Sequence, residues 1–354
     1  MTSNSRYLKG RGAQINPPSR FEKYLYDADP FSYLLEEEDA QMRTKIIPVH
    51  PKTILNKVDS PDIPFPYSMN PYQGCEHGCI YCYARNTHPY WGYSAGLEFE
   101  QKILVKQGAA ELLEEKMKSP RWKAAPIMLS GNTDCYQPVE RKLKVTRSLL
   151  DVLWRYRHPV GIITKNSLIL RDLDLLQQLS EHNLVRVCIS LTTLDDHLRQ
   201  FMEPRTASVR ARLKTIKILS DHGIPVTVMM APVIPGLTDH EIFDLLQAAA
   251  EAGAESASYG IVRLNGDVAS IFEDWIRKNY PDRSDKIIHK IQDCHGGSTE
   301  DHRFGTRMKG EGHIARIIGQ QFRLAKKKFF PSNNRPPLDT TLHQSFKTPQ
   351  LSLF

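Results

Sequence analysis

Short β-rich runs alternating with amphipathic segments place this chain of 354 residues in the α/β class, as a partial (βα)6 barrel with an N-terminal arm and a basic C-terminal extension. Three observations predict that class. The apolar runs recur at the spacing of strand–helix units. The segments between them carry apolar residues three and four apart. The residues that end the runs are polar or unusual, as they are where a parallel barrel gathers its chemistry.

Residues 1–65 are rich in proline, poor in periodic apolar positions and acidic from Glu36 to Asp39. They predict an extended arm with one short helix at most. The main body, 66–290, opens with a first strand in the stretch Ser68 to Gln73. Later strands are predicted at 126–131, 160–165, 185–191, 225–232 and 255–263. Helical spacing joins Val145, Leu149, Val152, Leu153 and Tyr156, then Val209, Leu213, Ile216 and Leu219, then Ile242, Leu245, Leu246 and Ala249. Gly223 and Gly253 mark two helix ends. In the fourth strand, Val185, Val187, Ile189 and Leu191 share a helix-packing face, and Arg186, Cys188 and Ser190 share the other, the wall of a wet interior.

Composition narrows the function classes. With 40% hydrophobic and 25% charged residues the chain is an ordinary globular one. No apolar run approaches the roughly 18 residues of a membrane span; the longest, Ile224 to Ile234, contains Pro225 and Pro232. The first twenty residues lack the apolar core of a secretion signal. The expectation is a cytoplasmic protein with no membrane partner. Net charge is +7, and the window Arg303 to Arg335, within the extension 291–354, holds nine Lys/Arg against Glu311 alone, so that window carries +8 and the rest of the chain −1. Such a basic face suits phosphates, or is simply a solvated helix face.

Six cysteines are too few for a secreted disulfide scaffold. Cys75, Cys79 and Cys82 lie within eight residues, in the spacing C-x3-C-x2-C. A structural zinc site needs four ligands, and a ferredoxin-type cubane takes four cysteines. Three thiolates suit a four-iron cluster with one iron left open, which can chelate the amino and carboxylate groups of S-adenosylmethionine (SAM).

The loop CEHGCIYC, with Tyr81 before the last cysteine, resembles that of radical SAM enzymes. The segments CIYCYA, SGNTD, ITK, ISL, MEPRTASVRARLKTIKILSDHGIPV and MMAPVIPG are similar to the spore photoproduct lyase-like branch, in a bacterial subgroup without an assigned substrate. The resemblance implies a [4Fe–4S] cluster on Cys75, Cys79 and Cys82, with SAM cleaved reductively to a 5′-deoxyadenosyl radical that abstracts hydrogen. It implies SAM contacts from Tyr81, Thr133, Lys165, Ser190 and Ala231, and a flavodoxin- or ferredoxin-type reductant. Nucleic acid is the first expectation for substrate. The lyases keep a hydrogen-donor cysteine three residues ahead of the aspartate of SGNTD, and here that place is Gly131. Cys135 and Tyr83 are the candidate catalytic residues that remain, and a photoproduct repair lyase is the second reading. A non-catalytic metal or electron-transfer protein is the third. Asp134 and Gln137 are read as substrate contacts or helix caps, Glu203-Pro204-Arg205 as a substrate-orienting loop or a salt bridge, and Cys188, Cys294 and the histidines as packing residues.

Overall fold

The computed structural model describes residues 8–19, 21, 43–331 and 335–343. Ten strands run in chain order: β1 (Lys45–Val49), β2 (Leu55–Lys57), β3 (Tyr67–Met69), β4 (Tyr72–Gln73), β5 (Lys102–Lys106), β6 (Ile127–Leu129), β7 (Val160–Thr164), β8 (Val185–Ser190), β9 (Val226–Val233) and β10 (Ser256–Ile261). The main sheet has the order β10-β9-β8-β7-β6-β3-β2. Six of its strands, β3 and β6 to β10, are parallel, and β2 pairs antiparallel at the edge of β3. The order is linear, with β2 and β10 as its two ends, so the barrel is open as expected. Each later strand lies within two residues of the boundaries read from sequence. The first differs. The stretch Ser68–Gln73 divides, and Tyr72–Gln73 leaves to join a three-stranded sheet β1-β5-β4. Asn70 and Pro71 fall between the two pieces, where proline cannot donate to a ladder.

The helices fill the outer layer. Val145–Arg155 turns Leu149, Leu150, Val152 and Leu153 inward, and Val209–Asp221 and Ile242–Glu251 do the same with their apolar stripes. The arm is not a detached strip. Its residues Arg11 to Ala13 are buried, β2 pairs with β3 across the 65/66 boundary, and the acidic run lies outside the described residues. Nor is the C-terminal extension separate. The boundary at 290 falls inside helix Ser284–Asp293. Helix Gly312–Phe329 buries Ala315, Ile318, Phe322 and Ala325, and Phe322 packs on Tyr259 of β10 with ring centres 4.4 Å apart.

Phe65 and residues 335–338 lie across one end of the barrel. Gly161 of β7 has no side chain because the Phe65 ring occupies the space: a Cβ there would lie 2.4 Å from Phe65 Cζ. Below it, residues 335–338 cross the strand starts, held where Arg186 Nη2 donates to the Pro336 carbonyl at 2.6 Å and Asn183 Nδ2 to that of Pro337 at 2.7 Å. Arg186 therefore belongs to this floor and lines a cavity of about 330 Å³ with Phe65, Thr227, Glu255 and Arg335. Among the described residues no helix is long and apolar enough to cross a membrane. Gly161→Ala should lower unfolding free energy by about 1–3 kcal/mol through overpacking. In a Phe65→Ala background the penalty should vanish, and denaturant titration of the four proteins of that cycle measures it.

Candidate active site at the open mouth

The cysteine loop sits at the C-terminal ends of the parallel strands, and polar side chains from several elements fix it there. Gly78, between the first two cysteines, has φ +69°, a conformation that L side chains rarely adopt. Arg85 and Glu100, both fully buried, pair at 2.5 Å beside it. Arg85 donates to the carbonyls of Cys79 (2.9 Å), Gly78 (3.0 Å), Ala95 (3.1 Å) and Gly96 (2.8 Å). Glu100 accepts the backbone N–H groups of Gly12 (3.0 Å) and Ala13 (2.8 Å), which draws the arm under the loop. Gly12 comes so close that a Cβ on it would lie 1.8 Å from the Gly78 carbonyl oxygen.

On the other side Glu203 is buried and accepts from the Tyr81 hydroxyl, Thr192 Oγ1 (2.9 Å) and Arg212 Nη2 (2.5 Å). Burial would raise its carboxyl, but Arg212 and then Lys165 outweigh that and hold it at about 2. Its contribution to stability is therefore present above the ordinary carboxylate range and is lost as pH falls toward 2. Arg205 reaches Glu76 at 3.3 Å and its N–H donates to the His77 carbonyl at 3.3 Å. The Glu203-Pro204-Arg205 segment is thus a salt-bridged brace for the loop. Gln137 spans the first turn, donating to the Gly74 carbonyl (3.2 Å) and accepting the Glu76 N–H (2.8 Å), so it does not cap a helix. Asp134 accepts from Thr164 Oγ1, the Tyr136 N–H and the Lys165 N–H, each at 2.8 Å, and lies 3.3 Å from His77 Nδ1. His77 packs inside and ties the loop to β6 and β7.

The metal-ligand candidates fit a cluster by the chemistry of their donors. Burial, then the charge of Asp134, pushes the Cys75 thiol up, and the Asp134 N–H is directed at its sulfur. Burial, then Glu203, pushes the Cys79 thiol up, against the opposing pull of Lys165. Such thiols ionise when a metal takes the charge, and N–H groups directed at sulfur tune cluster potentials. Among the described residues no three His, Cys, Asp or Glu side chains converge on one ion position, the arrangement a mononuclear site requires.

The other sequence candidates fall in different places. Lys165 is half-buried, with Nζ 5.8 Å from the Tyr81 ring centre, and it faces Cys79, Glu203 and Cys82. Cys188 is half-buried and also faces Lys165; burial pushes its thiol up to about 12. The Thr133 hydroxyl donates to the Tyr72 carbonyl at 2.7 Å. Ser190 is buried and its carbonyl accepts from Arg212 at 3.0 Å. Ala231 is half-buried on β9. Tyr83 is 52% exposed at the mouth, its hydroxyl donating to the carbonyl of Gly131. Cys135 is misplaced for a hydrogen donor: it lies fully buried in the core between sheet and helices, its thiol directed at Ser130 and Thr146. Cys294 is buried in that same core. Arg85, Glu100 and Arg212 have no local pattern that singles them out in the sequence.

Comparison with known proteins fits this geometry. Residues 69–249 match the radical SAM superfamily, over half of the chain. The chain belongs to the radical SAM superfamily. It is 34% identical over 234 residues to an uncharacterised protein of Mycobacterium tuberculosis, covering 65% of this chain and 69% of that one. It is 27% identical over 248 residues to an uncharacterised protein of Methanocaldococcus jannaschii, covering 70% and 88%. Among solved structures, a cysteine-to-serine mutant of spore photoproduct lyase superposes with a TM-score of 0.57 at 17% identity, over 84% of each chain. This radical SAM protein therefore shares the lyase's fold and is an enzyme.

Glu100→Gln should leave Arg85 a buried, half-compensated cation and lower unfolding free energy by about 3–5 kcal/mol. Gly12→Ala should instead act on the loop. Its Cβ would press on the Gly78 backbone and the Ile80 side chain, both in the cysteine loop, so iron bound per chain after anaerobic reconstitution should fall while secondary structure by circular dichroism is kept.

Proposed function

We propose that the chain binds a [4Fe–4S] cluster through Cys75, Cys79 and Cys82 and uses SAM to abstract hydrogen from a nucleic-acid substrate. The observation that carries the reading is a loop of three mutually interacting thiols fixed at the open mouth, with one cation, Lys165, beside it. When bound, the cluster supplies the electron that splits SAM to a 5′-deoxyadenosyl radical; that chemistry belongs to cofactor and cluster. The protein's own residues orient and shield. Glu203 holds the Tyr81 hydroxyl, so the ring stands fixed beside the loop. Lys165 offers a compact positive charge suited to the SAM carboxylate. Thr133 and Ser190 are buried near the strand ends, and Ala231 is half-buried there. On the far side of the interior the Phe65 ring fills the space beside Gly161.

A nucleic-acid substrate is supported by the fold shared with spore photoproduct lyase, one structure of which holds a dinucleoside photoproduct. The basic helix Gly312–Phe329 adds exposed Arg316, Arg323, Lys327 and Lys328. Lys326 is not among them, because its ammonium donates to the Ala257 carbonyl at 2.8 Å. Photoproduct reversal itself is the second reading. Tyr83 keeps its contact with residue 131, yet that residue is glycine and Cys135 is in the core. A flavodoxin- or ferredoxin-type protein of the cytoplasm is the expected electron source. Anaerobically reconstituted protein given SAM and dithionite should release 5′-deoxyadenosine, and Cys79→Ala should abolish both release and iron binding. Release that persists in Cys79→Ala would overturn the assignment.

A further inference from the structure

Beside the cysteine loop the mouth carries a cation that has no carboxylate partner among the described residues. Arg263 follows β10 by two residues, at the C-terminal end of the last parallel strand. It is half-buried, and among the described residues its guanidinium makes neutral contacts alone: the Arg307 carbonyl at 3.3 Å and Met308 Sδ at 2.8 Å. The acids within its field, Asp301 and Asp62, are already engaged. Asp301 binds Arg303 at 2.9 Å and His295 at 3.2 Å, and Asp62 binds Arg307 at 2.6 Å. Burial, then the neighbouring Arg307, disfavours the Arg263 charge, so an incoming anion is the missing compensation.

Its surroundings indicate what kind of anion. Arg263 faces Tyr83, whose hydroxyl marks the Gly131 side of the mouth. Its charged neighbour Arg307 packs its guanidinium 4.4 Å from the ring centre of Phe304, which is 56% exposed. Asn86, three residues after Tyr83, donates to the Asn265 carbonyl at 2.6 Å, which fixes the two walls relative to each other. A cation without a carboxylate partner among the described residues, facing exposed Tyr83 and joined through Arg307 to exposed Phe304, has the makings of a single-strand subsite: charge for the phosphate, ring faces for unstacked bases.

We infer that Arg263 binds a backbone phosphate of a single-stranded nucleic-acid substrate, with Phe304 stacking an adjacent base and Tyr83 facing the cation. The inference rests on the nucleic-acid reading above and assigns it a place. Helix Gly312–Phe329 then supplies outlying contacts only.

The test is fluorescence anisotropy of a short fluorescein-labelled oligothymidylate with the reconstituted holoenzyme across a salt series. Arg263→Gln should weaken binding about tenfold, as expected for one charge-assisted contact. It should also flatten the slope of log affinity against log salt by about 0.7. Phe304→Ala, at an exposed position, should weaken binding about fivefold with the slope kept. Thermal melting confirms that each variant is folded. No binding by the parent protein, or a folded Arg263→Gln protein with parental affinity and slope, overturns the inference. Displacement by thymidine 5′-monophosphate at the same concentration as unlabelled oligonucleotide also overturns it, in favour of a small phosphorylated ligand. Deoxyadenosine release without substrate is read in parallel. Its loss with binding intact counts against the SAM chemistry alone, and parental binding in the variants with release intact counts against Arg263 alone.

Discussion

The buried pair of Arg85 and Glu100 is the constraint on which the site depends. A guanidinium has five N–H donors, and Arg85 spends them on four carbonyls and one carboxylate. Glu100 answers with the arm's two N–H groups. A buried ion pair is a poor source of net stability, because desolvation offsets much of the attraction. What this pair supplies is geometry. Four segments distant in sequence, at 12–13, 78–79, 85 and 95–100, must meet at one point for every donor and acceptor to be satisfied.

An irregular loop held in the interior needs that kind of definition. Its backbone polar groups cannot join a sheet or helix ladder, and each one left unmet in the interior would cost free energy. Side chains meet them instead. Gln137 takes the Gly74 carbonyl and the Glu76 N–H, Arg85 takes the Gly78 and Cys79 carbonyls, and the backbone N–H of Arg205 takes the His77 carbonyl. The loop is rigid because it is surrounded by hydrogen bonds, and apolar packing under Ile80 and Tyr81 completes it.

The six parallel strands were legible because each is a short apolar run with its own turn signals, a local property of the chain. The cysteine loop was legible because ligand spacing is local too. The failures are all long-range. Tyr72–Gln73 reads as part of the preceding strand, and only its partner Lys102–Lys106 shows that it belongs elsewhere. Cys135 is one residue from Asp134 in sequence, yet the turn sends one side chain toward the mouth and the other into the core. Glu203 was a matched signature whose role was open, and Arg212, nine residues on, decides it by neutralising the carboxylate from inside the barrel wall. Phe65 looked like part of a proline-rich arm, and its contact with Gly161 is invisible without the fold.

The floor made by Phe65 and the 335–338 crossing has a consequence for traffic. With Phe65 and the 335–338 crossing over the strand starts, the mouth beside the cysteine loop is the approach to the strand ends. Whatever lies deepest must arrive first and depart last. A polymer resting across the rim would then act as the cork for a small molecule beneath it, and reloading would have to wait until the polymer lifts away.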